Sequence, residues 1–150
     1  MGHTTQAGVD LIGFGPSAIS ELRASYAQSQ RNLGDWQDAV AARGLATMRG
    51  HHLTRDDIER RWVIGRLMCH GVLRAEEFEA AFGQPFATRF ASELQQLDPF
   101  VADDLIERAD DGSIVVLPLG RLLVRNVAMT FDAYLADQQK GEKPMFSKTV

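Results

Sequence analysis

The chain has 150 residues, 45% hydrophobic and 24% charged, enough to enclose one hydrophobic core and balanced like a globular protein rather than a disordered one. A net charge of -4 argues against a dedicated nucleic-acid binder, and no apolar run approaches the length that spans a bilayer. The start, Met1-Gly2-His3-Thr4-Thr5-Gln6, has neither the basic nor the apolar region of a signal peptide, so a cytoplasmic setting without nucleic-acid or membrane partners is expected.

Val9 to Phe14 is short and apolar and runs into Gly13, Gly15 and Pro16, the pattern of a buried strand entering a tight turn. Ser17 to Leu33 reads as a helix with Ser17 as its N-cap, which would aim backbone N–H groups at the ligand-binding edge of a sheet. Nothing else in the chain reads as a βαβ unit. The strand is therefore expected to be the last of a sheet whose remainder is missing, and its open edge predicts self-association with a second copy.

A helix is expected from Gly34 to Ala42, then a connector. Thr54 with Asp57 three residues on predicts a capped helix that ends at Gly71 and buries a stripe of Ile58, Trp62, Gly65 and Cys69, widened by Ile64, Leu67 and Met68. Ala75 to Phe82 is a second helix, and Gly83-Gln84-Pro85 breaks the chain. A third, Phe86 to Leu97, aligns Phe86, Phe90, Leu94 and Leu97. Leu105 to Ala109 and Ile114 to Leu117 flank Asp110-Asp111-Gly112-Ser113, a hairpin signal, and Pro118 opens a last helix through Leu135. The tail 138–150 is polar. Helix, helix, helix, hairpin is winged-helix order, so the fold class expected is mainly α, preceded by a lone strand-turn-helix.

No nucleophile-base set and no metal-ligand spacing emerges. Cys69 alone can hold neither an iron–sulfur cluster nor zinc, and it reads as a small buried hydrophobe; His51-His52 reads as a solvated pair. The lone Gly13-Phe14-Gly15 lacks the residues of a nucleotide-binding loop. The basic residues are more informative: the three lysines, Lys140, Lys143 and Lys148, all stand in the tail, so every cation of the body is an arginine. A GC-rich genome gives such a bias, and so does selection for carboxylate or phosphate binding. Asp56 to Arg60 and Asp57 to Arg61 are spaced as helix-surface pairs. Arg121 and Arg125 are like charges four apart on one helix, which repel unless an anion sits between them.

Asp10 to Ser20, Tyr26-Ala27-Gln28, Arg49-Gly50, Leu53 to Arg61, Gly120 to Asn126 and Phe146-Ser147 occur in an order that resembles the C-terminal end of the oxygen-independent coproporphyrinogen III oxidase family. His3 in Gly2-His3-Thr4-Thr5 departs from that family's usual aromatic, and Ser29 from its frequent asparagine. The resemblance implies that the chain belongs to a radical S-adenosylmethionine (SAM) oxidoreductase that oxidatively decarboxylates coproporphyrinogen III to protoporphyrinogen IX in heme biosynthesis. SAM and a [4Fe-4S] cluster would serve the parent, and none would be bound by this chain alone. It further implies that residues 1–33 end the radical-SAM barrel, that 34–137 form a helical C-terminal domain covering the site, and that 138–150 are a tail. Its partners would be the N-terminal barrel of the same polypeptide and coproporphyrinogen III.

By the same resemblance Ser17, Ala18 and Ile19 lie in the run lining the SAM pocket. Arg60 or Arg61, with Arg121 or Arg125, is expected to bind a substrate propionate, and no residue here is expected to be catalytic. Without a cluster motif the chain alone should be inactive. The alternatives are a winged-helix-like module that binds protein or nucleic acid, and a relative of the heme chaperones that resemble these oxidases.

Overall fold

The segment read as a helix, Ser17 to Leu33, folds as a β-hairpin in the computed structural model, which describes residues 9–135. Gly2 to Thr5, Phe146-Ser147 and the tail 138–150 lie outside the described residues. β1 (Ile19–Leu22) and β2 (Ser25–Ser29) pair antiparallel around the two-residue turn Arg23-Ala24. Neither turn residue has a positive φ, so the turn lacks the Asn-Gly or Asp-Gly signature that announces most tight hairpins. Ser17 is correspondingly no helix cap: its φ is 59° and its N–H donates to the Gln30 carbonyl at 2.7 Å.

The strand expected at Val9 to Phe14 is reduced to one antiparallel bridge, Leu11 to Glu21, with both backbone hydrogen bonds at 2.8 Å. It is not a strand without partners. α1 (Leu33–Arg43) follows, close to the expected range, capped by the Asn32 side chain on the N–H groups of Gly34 and Asp35 and ended by Gly44 at φ 74°. The expected connector then forms β3 (Thr47–His52), which pairs antiparallel with β2 and completes the sheet β1-β2-β3. β3 is exposed along its whole length, so its sequence carries no apolar alternation to read.

The described residues form two compact units, 9–58 and 59–135, with the division inside α2 (Arg55–His70). α2 begins on the expected capping box: the Asp57 carboxylate accepts from the Thr54 N–H at 2.8 Å and hydroxyl at 2.7 Å, and the Asp57 N–H donates to Thr54 Oγ1 at 3.1 Å. Its fully buried apolar line is Val63 and Leu67, with Glu59 one turn earlier, rather than Ile58, Trp62, Gly65 and Cys69. Trp62, Ile64 and Met68 pack beside that line.

After α2, β4 (Val72–Leu73) was not foreseen, and α3 (Ala75–Phe82) matches its expected range. The expected third helix is interrupted at Phe90 (φ -117°, ψ 32°) into α4 (Phe86–Arg89) and α5 (Ala91–Gln96), while all four residues of its expected apolar face are buried. A short α6 (Asp98–Ala102) leads to the expected hairpin, β5 (Ile106–Arg108) and β6 (Ile114–Val116), and β4 joins it in the sheet β4-β6-β5.

The last helix is shorter than its spacing suggests: a 3-10 turn, Gly120–Leu123, precedes α7 (Val124–Met129). A Cβ on Gly120 would overlap the Leu105 carbonyl, so glycine lets this turn lie against the backbone there. The core of this unit is aromatic: Phe78, Phe86, Phe90 and Phe131 are buried and stack on one another at centroid distances from 5.2 to 6.2 Å. The architecture is thus mixed helix and sheet rather than mainly α. No helix among the described residues is long and apolar enough to cross a membrane.

Candidate functional site

In the first unit, Ser17, Ala18 and Ile19 lead into β1. Ser17 holds a left-handed backbone that is uncommon without glycine, and such local strain is concentrated at sites of function. The Ala18 carbonyl accepts from the Ser29 N–H at 2.9 Å, which fixes the run to the end of β2. Ile19 is half-buried and stands directly opposite Gln28, which in turn stands opposite Arg49. Directly opposed residues project to the same face, so these three form one row across the sheet. Arg49 Nε donates to Gln28 Oε1 at 2.8 Å, and Gln28 Nε2 lies 3.5 Å from the Ser17 carbonyl.

The second unit holds two buried carboxylates that sequence reasoning missed. Glu59 sits on the core line of α2 and accepts from Arg89 Nε at 2.6 Å and from Gln84 Nε2 at 2.8 Å. Glu93, on α5, accepts from Arg60 Nη1 at 2.8 Å and from the Ser92 hydroxyl at 2.7 Å. Burial acts to raise the Glu93 carboxyl, but the Ser92 hydroxyl and the Arg60 guanidinium outweigh it and hold the pKa below the usual carboxylate range. The only sequence signal for these acids was their place beside buried apolar residues; their partners lie 30 and 33 residues away.

Of the expected propionate ligands, Arg60 is committed to the fold. It bonds Glu93, donates to the Phe131 carbonyl at 3.1 Å and lies over the Phe90 ring at 5.4 Å. Arg61 is half-buried on α2. Arg121 and Arg125 do not share one continuous helix: Arg121 stands in the 3-10 turn and Arg125 in the first turn of α7, both exposed. The Arg121 guanidinium lies beside Gly71, just past the C-terminal end of α2, where a cation is favoured by the helix dipole. Leu119, Leu122 and Leu123 around it are also exposed, Leu122 at 81%. The turn therefore offers apolar side chains and guanidinium groups together.

Cys69 is half-buried, and no group of three or more His, Cys, Asp or Glu among the described residues is placed to hold a metal ion. One thiol does not fit a [4Fe-4S] cluster, which takes several.

No family model matches the chain. Individual proteins do. It is 44% identical over 149 residues to the oxygen-independent coproporphyrinogen III oxidase of Salmonella typhimurium, covering 99% of this chain and 32% of that protein. The corresponding protein of Synechocystis is 41% identical over 153 residues, with the same coverage. Among solved structures, the coproporphyrinogen III oxidase of Escherichia coli, a radical SAM enzyme, superposes with a TM-score of 0.81 at 43% identity, over 87% of this chain and 30% of that one. The chain is similar to the C-terminal part of the oxygen-independent coproporphyrinogen III oxidases. It spans about a third of the length of the oxidases it matches. The match runs through both compact units, since it covers 99% of the chain.

Proposed function

We propose that this chain is the C-terminal part of a radical SAM coproporphyrinogen III oxidase, in which it contributes to cofactor and substrate binding rather than to the radical chemistry itself. Its relatives at 41 to 44% identity are oxygen-independent coproporphyrinogen III oxidases, and the solved Escherichia coli structure it resembles is that of a radical SAM enzyme. When bound to the parent enzyme, SAM and a [4Fe-4S] cluster would supply the one-electron chemistry that starts oxidation of the substrate propionates. The cluster would need ligands outside this chain. Ser17 to Ile19 and the row behind them suit SAM, because an apolar side chain, an amide and a guanidinium stand side by side for a ligand that is part apolar and part carboxylate.

The observation that carries the substrate role is the turn at Leu119–Arg125. Coproporphyrinogen III is an apolar macrocycle with four carboxylates at its rim, and this turn exposes three leucines beside Arg121 and Arg125. Each arginine can grip a propionate with two parallel N–H groups while the leucines contact the ring. Arg60 instead supports the fold, its charge balanced by Glu93. The exposed 3-10 turn and α7 would form part of a cover that keeps water from the site. The order α2, α3, α4 and α5, then β5-β6 favours a winged-helix-like description of this cover. A nucleic-acid role is weakened by Arg89, whose guanidinium is held by Glu59 instead of facing a phosphate.

In the full-length enzyme, Arg121→Ala and Arg125→Ala should each raise the KM for coproporphyrinogen III roughly 10-fold or more, the worth of a charge-assisted hydrogen-bond pair, with kcat changed less. Unchanged KM in both variants would remove these residues from the substrate site.

A further inference from the structure

We propose that Arg49 is a carboxylate-binding residue of the same active centre, aimed by Gln28 and placed across the sheet from Ile19. The inference rests on the functional reading above and adds a residue to it from the geometry of the first unit alone.

The register fixes the placement. Ile19 is opposite Gln28 and Gln28 is opposite Arg49, so the three side chains leave the same face of β1-β2-β3 in one line. Two strand spacings put the Arg49 backbone about 10 Å from that of Ile19, and the arginine side chain can span much of that gap. A ligand lying along Ile19 would therefore meet a guanidinium at its polar end.

The hydrogen bonds fix the orientation. Arg49 Nε is taken by Gln28 Oε1, a neutral amide, at 2.8 Å. Among the described residues Arg49 has no other hydrogen bond and no ion pair, so none of them occupies its terminal nitrogens or balances its charge. An arginine that only supports a fold resembles Arg60, Arg89 or Arg108, each tied here to an acid. Arg49 differs: its side chain is oriented and exposed, and no described acid pairs with it. Gln28 also reaches back to within 3.5 Å of the Ser17 carbonyl, so one amide touches both the strained run and the guanidinium.

Two ligands of the proposed enzyme carry a carboxylate, the amino-acid end of SAM and the propionates of the substrate, and the planar fork suits either. The test uses the full-length enzyme with SAM alone and, separately, with coproporphyrin III alone, the air-stable oxidised form of the substrate. Arg49→Gln should raise the Kd of one of them about 10-fold or more, and Arg49→Lys by less, because a lysine keeps the charge but not the fork.

Gln28→Glu guards against a variant that merely misfolds: it keeps the shape of the row and places an internal carboxylate on Arg49, and it should weaken the same ligand. Arg31→Gln, outside the row, should change neither Kd. Weakened SAM binding assigns Arg49 to the amino-acid carboxylate, and weakened coproporphyrin binding assigns it to a propionate. If the unmutated enzyme binds both ligands and none of the row variants shifts either Kd, the proposal is overturned while the functional reading stands. If the unmutated enzyme binds neither, both fall.

Discussion

At the scale of single residues, the Arg60–Glu93 pair makes part of the second unit's stability depend on pH. Glu93 is held below the usual carboxylate range against the cost of burial, by the Ser92 hydroxyl and Arg60. A depressed folded-state pKa stabilises the fold fully above the unfolded value, about 4.3 for glutamate, and that contribution is lost as the pH falls through the lower folded value. Glu93→Gln should therefore lower stability at neutral pH and lose its effect in acid. Both side chains retain slight exposure, 16% and 11%, so the loss at pH 7 should be roughly 2 kcal/mol, below the 3–5 kcal/mol typical of breaking a wholly buried pair. Urea unfolding of both proteins between neutral pH and pH 3 measures it, and a pH-independent difference would contradict the argument. None of this was legible from spacing, because Asp56 stood at the helix-pair distance from Arg60 whereas Glu93 is 33 residues on.

At the scale of elements, what the sequence made legible is what local chemistry decides. α3 has its glycine stop at Gly83, and α2 has its capping box, so both were readable. Thr54→Ala removes the oxygen that accepts from the Asp57 N–H and one donor to the Asp57 carboxylate, and should cost about 1 kcal/mol in a urea titration, with Thr54→Ser recovering most of it. Equal loss in both variants would mean the methyl group, not the hydroxyl, matters. The β1-β2 hairpin was hidden for the opposite reason. Its turn uses Arg23-Ala24 without a positive φ, and Ile19, Leu22 and Tyr26 fall at spacings that a helix also explains. The candidate row was hidden along with the hairpin: Ser17 to Ile19 could be named from the resemblance, but their alignment with Gln28 and Arg49 exists only once the strands are in register.

At the scale of the whole molecule, the apolar core of the described residues is confined to one unit. Residues 59–135 bury Phe78, Phe86, Phe90, Phe131, Leu67, Leu73 and Leu97 almost completely, whereas the only buried hydrophobic residues described in 9–58 are Ala39 and Ala46. The first unit instead exposes Val9, Leu11, Ile12 and Phe14, the last at 90%. A sheet with so little buried apolar area has little to offset the entropy of ordering its backbone, so it should open far more often than the helical unit. In this chain by itself, the amides of β1, β2 and β3 should exchange with deuterium at least about 100-fold faster than those around Leu67 and Phe78. In the full-length enzyme proposed above, the same sheet amides should slow markedly while the helical unit changes little, because the exposed apolar segment would then have further chain to bury it. Equal protection of sheet and α3 in the isolated chain would show that the sheet is self-sufficient, and the row Ile19, Gln28, Arg49 would then be preformed in this chain by itself.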